Sequence, residues 1–404
     1  MKNLNLSLIL FSALIIFAGC NSSKNISDSS SGAVTSPEAA KSQNKSPDNT
    51  PEANTSEKFR KPGTNSFTLI AIPDTQGYVD FFAQTEHKKS FPCNQYLMNN
   101  RQMAFIAQNS VKNGGDFACA IHLGDFVNEG SWFKYEWKKA DEALSYLDGQ
   151  IPLISVIGNH DYDNHYKMVA GRADWLKGSK MFNKYFGAQS KYYKDKEWYG
   201  GSTENGLNNW IIFEGAGRKF LVIGFEVEPS ATTLAWAQSV IDSHPDLPVI
   251  VATHSYIDVS DDESSQGRFL GRHYREDGLA PKEIHENFIL KNKNIFMVLC
   301  AHASSGDNSE NSRIDTNEAG YPVYTLLSDF QSRNHIIEDR YPEYKGKKRW
   351  CGDGWLRLMN FDFNSKQIHV ETWSTEYEKF ETDEDSDFYL PISWDWEERF
   401  LSKN

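Results

Sequence analysis

The sequence predicts an α/β fold, with two packed mixed β-sheets flanked by helices, and three observations predict it. Short apolar runs rich in β-branched residues alternate with stretches of helical spacing. Five of those runs, Phe67–Ile72, Phe117–Leu123, Ile151–Ile157, Val249–Ala252 and Ile295–Cys300, each end in a short polar block. Toward the C-terminus the helical spacing gives out, and Val323–Leu327, Trp355–Phe361 and Ile368–Trp373 read as strands with hairpin-like connections. These late strands predict a second, partly antiparallel sheet packed on the first.

The chain starts with Lys2 and an apolar run from Leu6 to Ala18, too short to span a bilayer comfortably and suited to the core of a signal peptide. Phe17-Ala18-Gly19-Cys20 resembles the lipobox of bacterial lipoproteins. That resemblance implies a signal peptide over residues 1–19, cleavage before Cys20, and a membrane partner reached through lipid on Cys20. An ordinary secretory signal with an incidental cysteine is the plainer alternative. Asn21 in place of Asp leans, by analogy with lipoprotein sorting in Gram-negative cells, toward the outer membrane. Residues 20–65 are Ser, Asn, Pro, Lys and Glu with almost no large apolar side chain. Such a segment cannot offset its ordering entropy, so it reads as a disordered tether to the bacterial cell envelope.

Residues 66–404 read as one domain with insertions and a C-terminal extension, since no Gly/Pro/Ser-rich linker or internal repeat interrupts them. Met103, Ile106, Ala107 and Val111 keep helical spacing until Gly114-Gly115 stops them. Trp132 to Leu147 repeats the pattern before the third apolar run. Thr232 or Thr233 can cap a helix through Ile241, and Pro281 to Leu290 leads into Ile295–Cys300. Cys119 and Cys300 sit in apolar strands as small hydrophobes. Cys93 and Cys351 lie in loop contexts, free to pair in an oxidising compartment or to stay apart. The net charge of −13 argues against a nucleic-acid partner. An acidic protein that handles phosphate needs cations for its local positive charge.

The polar blocks supply a place for them. They are Asp74-Thr75-Gln76, Gly124-Asp125-Phe126-Val127-Asn128, Gly158-Asn159-His160-Asp161, Thr253-His254 and Ala301-His302-Ala303-Ser304. Chain polarity puts each at the C-terminal end of a strand, where open α/β sheets build their sites. Oxygen and imidazole donors without clustered thiolates suit hard or borderline divalent metals. Two such ions about 3.5–4 Å apart need a shared carboxylate. Asp125 beside Gly124 suits that role, and Asp74 serves the first metal. Asn159, His254 and His302 serve the second. His160 then points toward substrate, with Asp161 to orient it. The plainer readings are helix caps for Asp74 and Asp125, a structural role for His254, and a loop hydrogen bond for Gln76.

In order and spacing these blocks resemble the calcineurin-like metallophosphoesterases, whose pattern is Asp-x-His, Gly-Asp-x-x-Asp/Asn, Gly-Asn-His-Asp/Glu, a lone His, and Gly-His-x-His. Asp74-Thr75-Gln76, Ser328-Asp329-Phe330-Gln331 and Gly352-Asp353-Gly354-Trp355-Leu356-Arg357 are similar to a subgroup of secreted and lipoprotein members. The resemblance covers about Phe67 to Trp373. It implies a four-layer α/β/β/α sandwich holding two divalent ions, Fe, Mn or Zn. It also implies hydrolysis of a phosphomonoester or phosphodiester by metal-bound hydroxide, with His160 protonating the leaving group. Two departures bear on the first metal: Gln76 and Ser304 stand where the pattern has histidines. Gln76 is then a weaker ligand, while Ser304 and Asn128 are candidates for weak ligation or substrate contact. The competing function is a catalytically impaired family member that binds a ligand at the envelope.

Overall fold

Leu69, Ile70, Ala71 and Ile72 are all buried, so the first strand, β1 (Ser66–Ile72), is covered on both faces. That is why it reads as a continuous apolar run and not as an alternating one. The same holds for β2 (Phe117–His122) and the short β3 (Leu153–Ser155). There follow β4 (Tyr199–Ser202), β5 (Asn209–Gly215), β6 (Arg218–Gly224), β7 (Val249–Ala252), β8 (Ile295–Cys300) and β9 (Glu310–Thr316). The chain continues through β10 (Pro322–Ser328), β11 (Trp355–Asp362), β12 (Gln367–Ser374), β13 (Lys379–Phe380) and β14 (Phe388–Pro391). The computed structural model describes residues 58–85, 93–172, 174–259, 267–346, 352–393 and 395–400. The expected signal peptide, Cys20, most of the expected tether and Cys351 lie outside the described residues.

Among the described residues the strands form two seven-stranded sheets. The first runs β13-β12-β11-β1-β2-β3, with β14 also on β12. Within it β1, β2 and β3 are parallel, while β11 is antiparallel to β1 and β12 to β11. The second runs β4-β5-β6-β7-β8-β10-β9. Its strands β6, β7, β8 and β10 are parallel, with antiparallel partners at both edges. Both sheets are therefore mixed, but their membership differs from the sequence expectation. The late strands β11 and β12 complete the first sheet, and β10 joins the second beside β8. An apolar run fixes that a strand is buried; its neighbour is chosen by long-range packing that no local pattern encodes.

Alternation within strands separates the layers. Phe220 and Val222 of β6 enter the core between the sheets, while Leu221 and Ile223 face the opposite way. Between the sheets Phe67 stacks on Phe361 at 4.7 Å and meets Phe213 and Phe220 of the second sheet at 5.8 and 5.1 Å. Helices Tyr96–Gln108 and Lys134–Leu144 bury Met103, Ile106, Trp137 and Ala140 against the first sheet. Helix Ala231–Asp242 buries Leu234, Ala237 and Ile241 against the second. Its cap is Ser230, whose hydroxyl accepts the Thr233 amide at 3.3 Å, and not a threonine; Thr233 lies one turn inside and donates to Glu226. No helix among the described residues is long and apolar enough to cross a membrane.

Candidate metal centre

Parallel strands of both sheets deliver their C-terminal ends to one place. In the first sheet β1, β2 and β3 run out into Asp74, Asp125 and Asn159; in the second, β7 and β8 run out into His254 and His302. The backbones come very close. Gly124 has φ +101°, and a Cβ there would stand 2.8 Å from both the Gly158 nitrogen and His254 Nδ1. A Cβ on Gly158 would stand 2.1 Å from Asp125 Oδ1. Only glycine lets the two turns and the histidine share this space. Asp125 and His302 themselves hold left-handed φ values of 51° and 74°, costing about 1–2 kcal/mol each.

Four ligand-type atoms meet around His254. Its Nε2 lies 3.0 Å from Asn159 Oδ1, 3.1 Å from His302 Nδ1 and 3.3 Å from Asp125 Oδ2. Its Nδ1 lies 2.8 Å from the Leu123 carbonyl, a contact that only an N–H makes, so Nδ1 carries a proton and Nε2 faces the cluster. His302 turns Nε2 toward the Tyr274 hydroxyl at 3.0 Å, which leaves Nδ1 for the cluster. Two imidazole nitrogens, an amide carbonyl and a carboxylate fit a divalent ion of hard or borderline character.

The electrostatics ask for positive charge at this point. Burial lowers the His254 imidazole, yet Asp125 and Asp74 outweigh it and bring it up to about 10. Burial raises Asp125, but His254 and His160 hold it below the usual carboxylate range. Burial pushes the Asp74 carboxyl well up, and Asp329 pushes it further. Burial also takes His302 down to about 3, with His254 adding to the effect; a ligating imidazole must be neutral.

The side toward the first expected metal is built differently. Gln76 is fully buried; its Nε2 donates to Asp125 Oδ2 at 3.0 Å and to Gln331 Oε1 at 2.8 Å. Its own Oε1 is buried without a partner. Gln331 Nε2 donates to Asp74 Oδ2 at 3.0 Å and to Asp329 Oδ2 at 2.6 Å. Burial raises Asp329 to about 6, against the hydrogen bonds from Gln331. Ser304 is turned to Ser332, Oγ to Oγ 2.8 Å.

His160 is placed by three contacts. Its peptide N–H donates to Asp125 Oδ1 at 2.8 Å, its ring Nδ1 meets the Asn128 carbonyl at 2.8 Å, and its Nε2 stands 3.9 Å from Asp125 Oδ2. The ring packs on His165, centroids 3.9 Å apart. Asp161 has another task than the one expected. Its carboxylate accepts the amides of Gly158, Phe126 and Val127 at 2.9, 2.9 and 3.3 Å, so it ties two site turns together. The backbone carbonyl of Asn128 orients His160 in its place, and the Asn128 amide donates to Glu136 at 2.9 Å.

Sequence reasoning passed over Tyr274, His165, Asp329 and Gln331 as site residues. For the last two a signal existed: the block Ser328-Asp329-Phe330-Gln331 also follows an apolar run, but β10 read as a hairpin strand. Tyr274 sits in a loop with no local signature.

Comparison with known proteins gives the following likenesses. The calcineurin-like phosphoesterase profile matches residues 99–304, a span that holds Asp125, Asn159, His160, His254 and His302 and leaves Asp74, Gln76 and Asp329 outside. The uncharacterized protein YvnB of Bacillus subtilis (strain 168) is 27% identical over 333 residues, covering 81% of this chain and 21% of that protein. The chain thus spans about a fifth of the length of that relative. The crystal structure of a dimetal phosphatase from Danio rerio (LOC 393393) overlaps 81% of this chain and 99% of its own, at 13% identity and a TM-score of 0.42.

Proposed function

Because the chain belongs to the calcineurin-like phosphoesterase family, we propose that it hydrolyses a phosphomonoester or phosphodiester at the centre built by Asp74, Asp125, Asn159, His254 and His302. One observation carries the reading. Asp125 Oδ2, Asn159 Oδ1 and His302 Nδ1 all lie within 3.3 Å of His254 Nε2, and the Leu123 carbonyl holds the other imidazole nitrogen out of the cluster. Divalent Fe, Mn or Zn bound there would polarise phosphoryl oxygens and bring a water pKa toward about 7.

The chain's own groups do the rest. Asp125 stands between the two sides of the centre and suits a shared carboxylate. His160 keeps Nδ1 on the Asn128 carbonyl, so Nε2 is the atom free to pass a proton to a leaving alkoxide, an effect of about 10²–10⁴-fold for a positioned acid.

The full-length protein, supplied with Mn²⁺, is assayed on p-nitrophenyl phosphate and on its bis ester. Turnover should vanish with chelator and in Asn159→Ala. His160→Gln should lower kcat by about 10²–10⁴-fold with metal content unchanged. Which ester turns over separates mono- from diesterase. Metal binding with no turnover of either would favour the second reading, a ligand-binding protein, which Gln76 and the turned-away Ser304 motivate.

The proposed location is the bacterial envelope, by way of Phe17-Ala18-Gly19-Cys20. Cys20→Ser should release the protein from the membrane fraction and abolish labelling with radioactive palmitate. Unchanged fractionation and labelling would overturn the lipid anchor.

A further inference from the structure

We propose that Asp329 is a ligand of the first metal, filling the coordination position left open where Gln76 and Ser304 replace histidines, and that this site takes a hard cation such as Mn²⁺. The proposal rests on the phosphoesterase reading above and concerns the first site alone.

Topology puts Asp329 in rank with the recognised ligands. β10 is parallel to β8 with Leu327 opposite Cys300. Asp329 lies two residues past Leu327, as His302 lies two past Cys300. A step of two from the last residue of the strand also leads from Ala252 to His254 and from Ile72 to Asp74, whereas β10 runs one residue further, to Ser328, and Asp329 follows it directly. Asp329 therefore stands at the end of a parallel strand beside the end of β8.

The contacts around it are those of a cation site. Asp329 and Gln76 are 0% exposed and Asp74 3%. The single Nε2 of Gln331 donates to both Asp74 Oδ2 and Asp329 Oδ2, at 3.0 and 2.6 Å. Gln76 Nε2 does the same for Asp125 Oδ2 at 3.0 Å. Two neutral amide groups thus supply the positive ends that three buried carboxylates need. Among the described residues no Lys or Arg ion pair reaches these carboxylates; His254 stands 3.7 Å from Asp74 and 3.3 Å from Asp125, and His160 3.9 Å from Asp125, while Asp329 has no ion pair there. A buried charge is kept only when it is paired or coordinates a metal. The unpartnered buried oxygen, Gln76 Oε1, belongs to the amide lying between Asp125 and Gln331. It is a donor in search of a cation.

With Ser304 turned to Ser332, the candidate ligands on this side are all oxygens: Asp74, Asp125, Asp329 and the Gln76 carbonyl. The other side offers two imidazole nitrogens. Carboxylate and carbonyl oxygens suit Mn²⁺ or Mg²⁺, and imidazole suits Zn, Fe and Cu. The two positions therefore differ in the metal they prefer.

The test is Mn²⁺ titration of metal-stripped full-length protein by calorimetry, with elemental analysis after gel filtration. Wild type should bind two ions. Asp329→Asn should keep one, its first-site affinity weakened by more than about tenfold, while the metal-free melting temperature stays at or above that of wild type. As a second variant, Asp329→Cys places a soft thiolate in the site. It should bind Cd²⁺ with a thiolate-to-cadmium charge-transfer absorption absent from wild type. The same stoichiometry and affinity in wild type and Asp329→Asn, or no new absorption in Asp329→Cys, overturns the proposal. Two ions in both proteins would sink this proposal alone. No Mn²⁺ bound by wild type would sink the phosphoesterase reading with it.

Discussion

His122, three residues before Asp125, accepts the Gly124 amide on Nδ1 at 3.2 Å and meets the Thr75 hydroxyl through Nε2 at 3.0 Å. An imidazole that accepts on one nitrogen and donates from the other is neutral, and burial, helped by His254, takes its pKa from 6.5 down to about 3. His254 is wired the opposite way, with its Nδ1 proton on a carbonyl. Backbone groups thus decide which histidine is closed off on both nitrogens and which turns a nitrogen to the cluster. Sequence alone expected this difference, because His122 precedes the glycine turn and His254 follows a strand end. The pH consequence has a definite sign. Above pH 6.5 His122 is neutral in both folded and unfolded chains and contributes nothing. Below it, the unfolded chain takes up a proton that folded His122 refuses, so stability falls by up to about 1.4 kcal/mol per pH unit until pH nears the folded value. In chelated protein, His122→Gln should flatten the urea-unfolding free energy between pH 6 and 4 by up to that slope. An unchanged slope would mean that folded His122 titrates normally.

At the scale of elements, the strand ends were legible and the strand partners were not. β1, β2, β7 and β8 could be read as continuous apolar runs because helices cover one face and the opposite sheet covers the other. Each glycine turn announced its block, since Gly124 and Gly158 leave no room for a side chain. β3 is confined to Leu153–Ser155; the Val156 amide still donates to the His122 carbonyl of β2 at 2.9 Å, and the chain then runs on to Asn159. β4 carries no strand signal because Tyr199–Ser202 contains two glycines, Gly200 and Gly201, and little apolar character, whereas the apolar runs of β5 and β6 went unread. The most consequential error concerned β10. Hairpin logic predicted an antiparallel partner, and β9 is one; its other neighbour, β8, is parallel, and that pairing sets Asp329 among the ligands. Local pattern carries no information on which of two neighbours matters. Asp161 was placed in the right cluster with the wrong partner for a related reason: a carboxylate beside a histidine in sequence met three amides in space.

For the whole molecule, several polar ties cross between the sheets among the described residues, Asn209 to the Ser155 carbonyl and Tyr324 to the Pro391 carbonyl among them, and two others bear most on stability. One is the candidate metal centre, which draws Asp74, Asp125 and Asn159 from the first sheet and His254, His302 and the proposed ligand Asp329 from the second. The other is Arg357 of β11 with Glu310 of β9, an ion pair whose side chains are each 1% exposed. Arg357 also donates to Thr372 Oγ1 at 2.7 Å and to the Asp385 carbonyl at 2.6 Å, and Ser386 donates to Glu310 at 2.6 Å. Removing one member of such a pair strands the other charge in the interior, at about 3–5 kcal/mol, so Arg357→Met should destabilise by that amount. Metal at a hundredfold excess over its Kd should add about 2.7 kcal/mol, and chelation should remove it. The aromatic core between the sheets, Phe67 on Phe361 with Phe213 and Phe220, is continuous enough to couple the two layers. Both perturbations should therefore act on one unfolding transition, and their effects should add within about 0.5 kcal/mol, as for separate sites without shared partners. Calorimetric melting of wild type and Arg357→Met, each with Mn²⁺ and with chelator, reads this directly. Two resolved transitions in chelated Arg357→Met would show instead that each sheet holds its own helices independently and that the polar ties, more than the aromatic layer, make them one.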